Sequence, residues 1–129
     1  MRKIPLILSM LVYFLIGIGH AETIVFEGTP LVRNSSSAEE AKNELVQGES
    51  QTNYKLIISK EGDEYVWFSR EKKKLTRIRS DAFDYFVNPE GSGYIKIAKD
   101  ENGKYLYMEH MSFGLQTITY WGTSETFKP

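Results

Sequence analysis

Cysteine is absent from this 129-residue chain. No disulfide can staple the fold, and no thiolate can act as nucleophile, metal ligand or redox centre. A lipid joined through an N-terminal cysteine is excluded for the same reason. Small exported domains often supplement a limited core with disulfides. This one must hold by packing, which an aromatic content of 13% can supply. Histidine is scarce as well, with His20 and His110 the only two. Transition-metal sites usually combine several His or Cys ligands, so neither a metal nor a cofactor is expected.

Other signatures are missing. There is no G-x-S-x-G elbow, and the serines cluster in turns and in Ser35-Ser36-Ser37. Gly91-Ser92-Gly93 precedes a strand pattern, whereas a phosphate-cradling loop opens a helix. Asp100-Glu101-Asn102-Gly103 lacks the ligand spacing and terminal glutamate of a calcium loop. No repeat of fixed period and no low-complexity tract is present.

One apolar run stands out, Ile4 to Gly19. It follows Arg2-Lys3 and ends at Gly19-His20-Ala21. A basic start, an apolar middle and a small-x-small end are the pattern of a secretory signal peptide. The run is shorter than the ~20 apolar residues of a spanning helix and is interrupted by Pro5 and Ser9. The expectation is a leader over residues 1–21 and an exported domain over 22–129, periplasmic or secreted, with no integral membrane span after cleavage. Such a chain has the size for a single core. Removing Arg2 and Lys3 from the 16 Lys and Arg leaves 14 against 17 Asp and Glu, a net charge of −3. A weakly acidic domain has no overall attraction for nucleic acid.

Ile24-Val25-Phe26 reads as a first strand, broken at Gly28-Thr29-Pro30. Ser37-Ala38-Glu39-Glu40 fits the S-x-x-E capping box, which predicts a short surface helix running to Gln47 and stopping at Gly48. A linker follows to Asn53. From Tyr54 the pattern turns to period two. Tyr54-Leu56-Ile58, Tyr65 to Phe68, Lys72 to Arg79, Phe83-Tyr85-Val87, Tyr94 to Ala98, Tyr105 to Met111 and Leu115 to Trp121 read as strands. Turns are expected at Glu61-Gly62-Asp63, at Asn88 to Gly93 and at Asn102-Gly103, the last as a type I′ hairpin. The tail after Gly122 reads as loose. The class predicted is mainly β, an antiparallel sandwich or partly open barrel of about seven or eight short strands, with one N-terminal surface helix.

Three features bear on function. His110 sits on the parity of Leu106 and Met108, while Glu109 points to the opposite face, so their adjacency is not a dyad. Its functional reading is a general base, and its ordinary one is a hydrogen-bonded residue at the core margin. Arg70, Lys72, Lys73, Lys74, Arg77 and Arg79 form a basic run. It is a patch for an acidic partner or a solvated sheet edge kept from pairing by its lysines. Aromatics on both parities, as at Tyr85-Phe86 and Tyr120-Trp121, leave one member free to face outward.

Together these predict a binding module rather than an enzyme. The expected binding residues are Trp67, Tyr120, Trp121, Arg70, Lys72, Lys73 and Lys74. The expected partner is a protein or glycan of the cell envelope. The alternative is a small hydrolase with His110 as base.

Overall fold

A computed structural model describes residues 22–48 and 53–129. The expected leader and most of the expected linker lie outside the described residues. Nine strands follow in order: β1 (Thr23–Ser37), β2 (Lys42–Gln47), β3 (Leu56–Glu61), β4 (Glu64–Trp67), β5 (Lys73–Arg79), β6 (Asp84–Val87), β7 (Gly93–Lys99), β8 (Tyr105–Phe113) and β9 (Gln116–Ser124). Among the described residues no helix is long and apolar enough to cross a membrane.

The strands close into an antiparallel barrel of eight, with β2 as a ninth strand on the flank. β1 makes the closure. Its first half pairs with β3, and its second half pairs with β9 on one side and β2 on the other. Register shifts at Ile24/Phe26 and at Pro30/Val32 let one strand change partners. Proline donates no backbone hydrogen bond and is tolerated at such a bulge. Gly28-Thr29-Pro30 therefore bends the strand, where a break was expected.

The expected helix is not formed. Ser37 to Ala41 make a turn, and Lys42–Gln47 pairs with Val32 to Ser37. The capping-box geometry survives in part, since the Glu40 amide donates to Ser37 Oγ at 3.3 Å. Ala41 then takes φ 51°, which a helix does not allow. Few apolar residues mark this segment, so a helix would bury little. Pairing with the exposed half of β1 satisfies its backbone instead.

Asn102-Gly103 does turn a hairpin, of a different type. Asp100 Oδ1 accepts from the Asn102 and Lys104 amides, and the Gly103 amide donates to the Asp100 carbonyl. Only Gly103 has positive φ, 83°. This is a type I turn with a left-handed glycine bulge, the three-residue alternative to type I′.

The interior is apolar and aromatic. Phe26, Leu56, Ile58, Trp67, Phe86 and Ile95 are all buried. One end is closed by the tail that reads as loose in sequence. Lys128 N donates to the Val25 carbonyl. Phe127 packs edge-on against Phe26, Phe86 and Tyr105 with centroids 5.7–6.0 Å apart. Burying that ring stabilises the end by about 2 kcal/mol.

Candidate functional site

On β8 the inward parity is Tyr105-Tyr107-Glu109-Met111. This places a carboxyl group in the middle of the barrel. Glu109 is fully buried. Its Oε2 accepts from Trp67 Nε1 and from the Tyr54 hydroxyl, both at 2.6 Å. Oε1 has no hydrogen-bond partner among the described residues. Tyr54 also meets Ser69 Oγ at 3.0 Å and accepts from Arg70 Nε at 3.2 Å. The Arg70 guanidinium lies over the Tyr54 ring, 4.1 Å from its centre. Two effects oppose each other at Glu109. Its hydrogen bonds favour the carboxylate, but burial disfavours charge more strongly, and its pKa is pushed up to about 7. Burial likewise pushes the Tyr107 phenol up, with the Glu109 charge adding to it.

Glu109 was not among the residues the sequence singled out. Its parity with Tyr107 and Met111 was the available signal. It was ambiguous, because the other parity offers Leu106 and Met108.

That other parity faces outward. His110 stacks on Tyr94, with centroids 5.1 Å apart, and its Nδ1 lies 2.8 Å from Thr119 Oγ1. It sits on the open outer surface of the sheet, and no carboxylate among the described residues hydrogen-bonds to it.

The residues expected to bind divide between interior and surface. Trp67 is 1% exposed and Tyr120 6%, whereas Trp121 is 40% exposed. Trp67 and Tyr120 therefore belong to the core and not to an outer aromatic patch. Alternation explains Tyr120 and Trp121, since neighbours on a strand point to opposite faces. Trp67 faces inward because it is opposite Ile58 on β3.

The basic run is largely occupied by local partners. Lys72 pairs with Glu22 at 2.7 Å and holds that carboxyl below its usual range. Lys73 donates to Ser92 Oγ at 3.3 Å, and Lys74 lies 3.6 Å from Glu64. Arg77 pairs with Asp84. Arg70 turns inward onto Tyr54.

The outer face of β6 to β9 carries the aromatic surface. Strand register aligns Tyr85, Lys96, Met108 and Trp121 in one row and continues it to Val32. Tyr94, His110, Thr119 and Asn34 form the next row. Tyr85 and Tyr94 are tilted together at 5.4 Å, and Phe83 meets Tyr85 edge-on at 6.1 Å. The Lys96 ammonium lies 5.1–5.6 Å from the centres of Phe83, Tyr85 and Tyr94. Beside it runs a shallow groove of about 280 Å³ lined by Phe83, Lys96, Ala98, Leu106, Met108 and Trp121.

The chain matches no protein-family model, no curated protein and no solved structure. The site therefore rests on its own geometry. An outer face this rich in aromatics suits stacking and apolar contact. Among the described residues no group of His, Asp or Glu is placed to hold a metal ion.

Proposed function

We propose that this protein is an exported binding module that works through the outer face of β6 to β9. One observation carries the reading: the register of four consecutive strands sets Tyr85, Lys96, Met108 and Trp121 side by side on the outside of the barrel. The interior needs none of them, because Phe26, Trp67, Phe86 and their neighbours already fill it. Leu106 and Trp121 remain well exposed on this face. A contiguous patch of large apolar side chains on a small domain marks an interaction surface.

Its leader would place it in the periplasm or outside the cell, where its partner is a component of the envelope. The basic hairpin is a secondary element of this reading, since its lysines already face Glu22, Ser92 and Glu64. His110 contributes to the surface as a stacked ring rather than as a base.

The test is photo-crosslinking in living cells from a probe residue at Leu106, with a probe at Asp63 in the β3–β4 turn, away from this face, as control. Crosslinks to an envelope component from position 106 that Trp121→Ala abolishes are the expected result. Equal crosslinking from both positions, or indifference to Trp121→Ala, overturns it.

A further inference from the structure

Charge is segregated around this barrel. On the wall made by the first half of β1 with β3 and β4, Glu22, Glu27 and Glu64 pair with Lys72, Lys55 and Lys74. The opposite wall is different. Side chains that point outward from β6, β7, β8 and β9, and from the β1–β2 hairpin that extends the same sheet, include no Asp and no Glu. The chain as a whole has more carboxylates than cations, so this face is depleted of the commoner charge.

Lys96 is the lysine on this wall. It is seated among three rings and forms no ion pair among the described residues. A ring face attracts a cation through its quadrupole without neutralising it. The ammonium therefore stays available to an anion arriving from solvent. Two strands away in the same row stands Trp121, roughly 10 Å across the sheet at the usual strand spacing. At the end of the Tyr94 row, and in the row beyond it that joins Ser112, Thr117, Ser36 and Asn43, aromatics give way to hydroxyl and amide side chains. Asn34, Thr117, Ser36 and Asn43 share this outer face, and Asn34 and Ser36 both hydrogen-bond Asn43, whereas Thr119 is buried among them with its hydroxyl taken by His110.

A ligand suited to this wall has flat apolar ring faces to lie on Trp121, hydroxyls for the threonine and asparagine ladder, and an acid for Lys96. We infer that the face binds an acidic polysaccharide, with a sugar ring stacked on Trp121 and a sugar carboxylate at Lys96. A protein partner would more commonly meet an apolar centre ringed by polar groups. Here the two chemistries lie side by side along one sheet, as an extended chain of sugar rings would read them. This inference rests on the binding reading above and names its ligand.

The probe is an oligogalacturonate, compared with the same oligomer methyl-esterified so that ring shape is kept and charge removed. Binding is followed by calorimetry on the protein purified from cells expressing the full chain. The expected result is binding of the acid form, weakened at least tenfold by esterification, by Lys96→Gln and by Trp121→Ala, and retained by Lys96→Arg. Both positions lie on the outer face of the sheet, and circular dichroism verifies that each of the three variants is folded. Equal binding of the esterified oligomer overturns the assignment of Lys96. No binding of either form, together with crosslinking of a protein from Leu106 in cells, overturns the glycan and leaves the face as the binding site. Neither binding nor crosslinking overturns both.

Discussion

Trp67 Nε1 donates a 2.6 Å hydrogen bond to Glu109 Oε2 inside the barrel, linking β4 to β8 through the core. The indole lies among apolar neighbours, and a buried N–H needs an acceptor. Glu109 supplies one but must leave water to do so. The pair joins strands that are not neighbours in the sheet.

Glu109 makes stability depend on pH. Its pKa rises from 4.5 to about 7 on folding. Between those values the native state holds a proton that the unfolded chain has released. Stability from this group is therefore full below pH 4.5, falls as pH rises toward 7, and levels off above. The size is on the order of 3 kcal/mol. Glu22 acts in the opposite sense and at lower pH, because Lys72 lowers its pKa and that contribution is lost as pH falls below about 4.5. Urea unfolding from pH 4.5 to 8 should show the decline, and Glu109→Gln should flatten it. A wild-type profile that is level over that range would contradict the account.

Tyr54→Phe removes one of the two hydrogen bonds to Glu109 Oε2. The carboxylate then loses a donor that favours it, so the falling limb of the stability profile should still begin near pH 4.5 but extend to higher pH than in the wild type. At neutral pH the loss should be about 1–3 kcal/mol. Chemical denaturation of the variant, compared at two pH values, measures both effects.

The two tryptophans should behave differently. Trp67 is 1% exposed and Trp121 40%. Trp67→Ala should destabilise by about 3–5 kcal/mol, since it opens a cavity and leaves Glu109 with one partner fewer. Trp121→Ala should change stability by less than about 1 kcal/mol and act on binding. Thermal melts of the two variants check this directly.

Gly93 and Gly91 offer a matched pair two residues apart. Both have positive φ, 153° and 86°. A Cβ on Gly93 would run into the backbone carbonyl of His110, whereas one on Gly91 meets open space. Gly91→Ala should cost about 1 kcal/mol for its backbone conformation alone. Gly93→Ala should cost at least about 2–3 kcal/mol, because the β7–β8 pairing must also shift. Similar melting temperatures for both would contradict the close approach.

Much of the fold was legible along the chain. Period-two alternation marks β3 to β9 because each strand has one wall toward the core. Turn residues mark the hairpins: Gly62 takes φ 63°, and Asn88 Oδ1 accepts from the Glu90 and Ser92 amides. Ser37 to Gln47 was misleading, since a capping box is a local preference and the edge of β1 that faces away from β9 offered this segment a full set of backbone partners. The tail misled similarly. Phe127 shows no period, yet the end of the barrel has a place for its ring.

By itself the sequence determined that this would be a cysteine-free domain of short antiparallel strands, with aromatics on both parities and charge of both signs. Those properties follow from residue type and spacing. Tertiary structure alone decided which parity faces inward, because Tyr120 and Trp121, or Glu109 and His110, exchange roles if a strand slips by one residue. Closure of β1 onto β9 settles that register for the whole ring. It sends Glu109 and Trp67 into the core, and it gathers Tyr85, Tyr94, Lys96 and Trp121 from three strands onto one outer face.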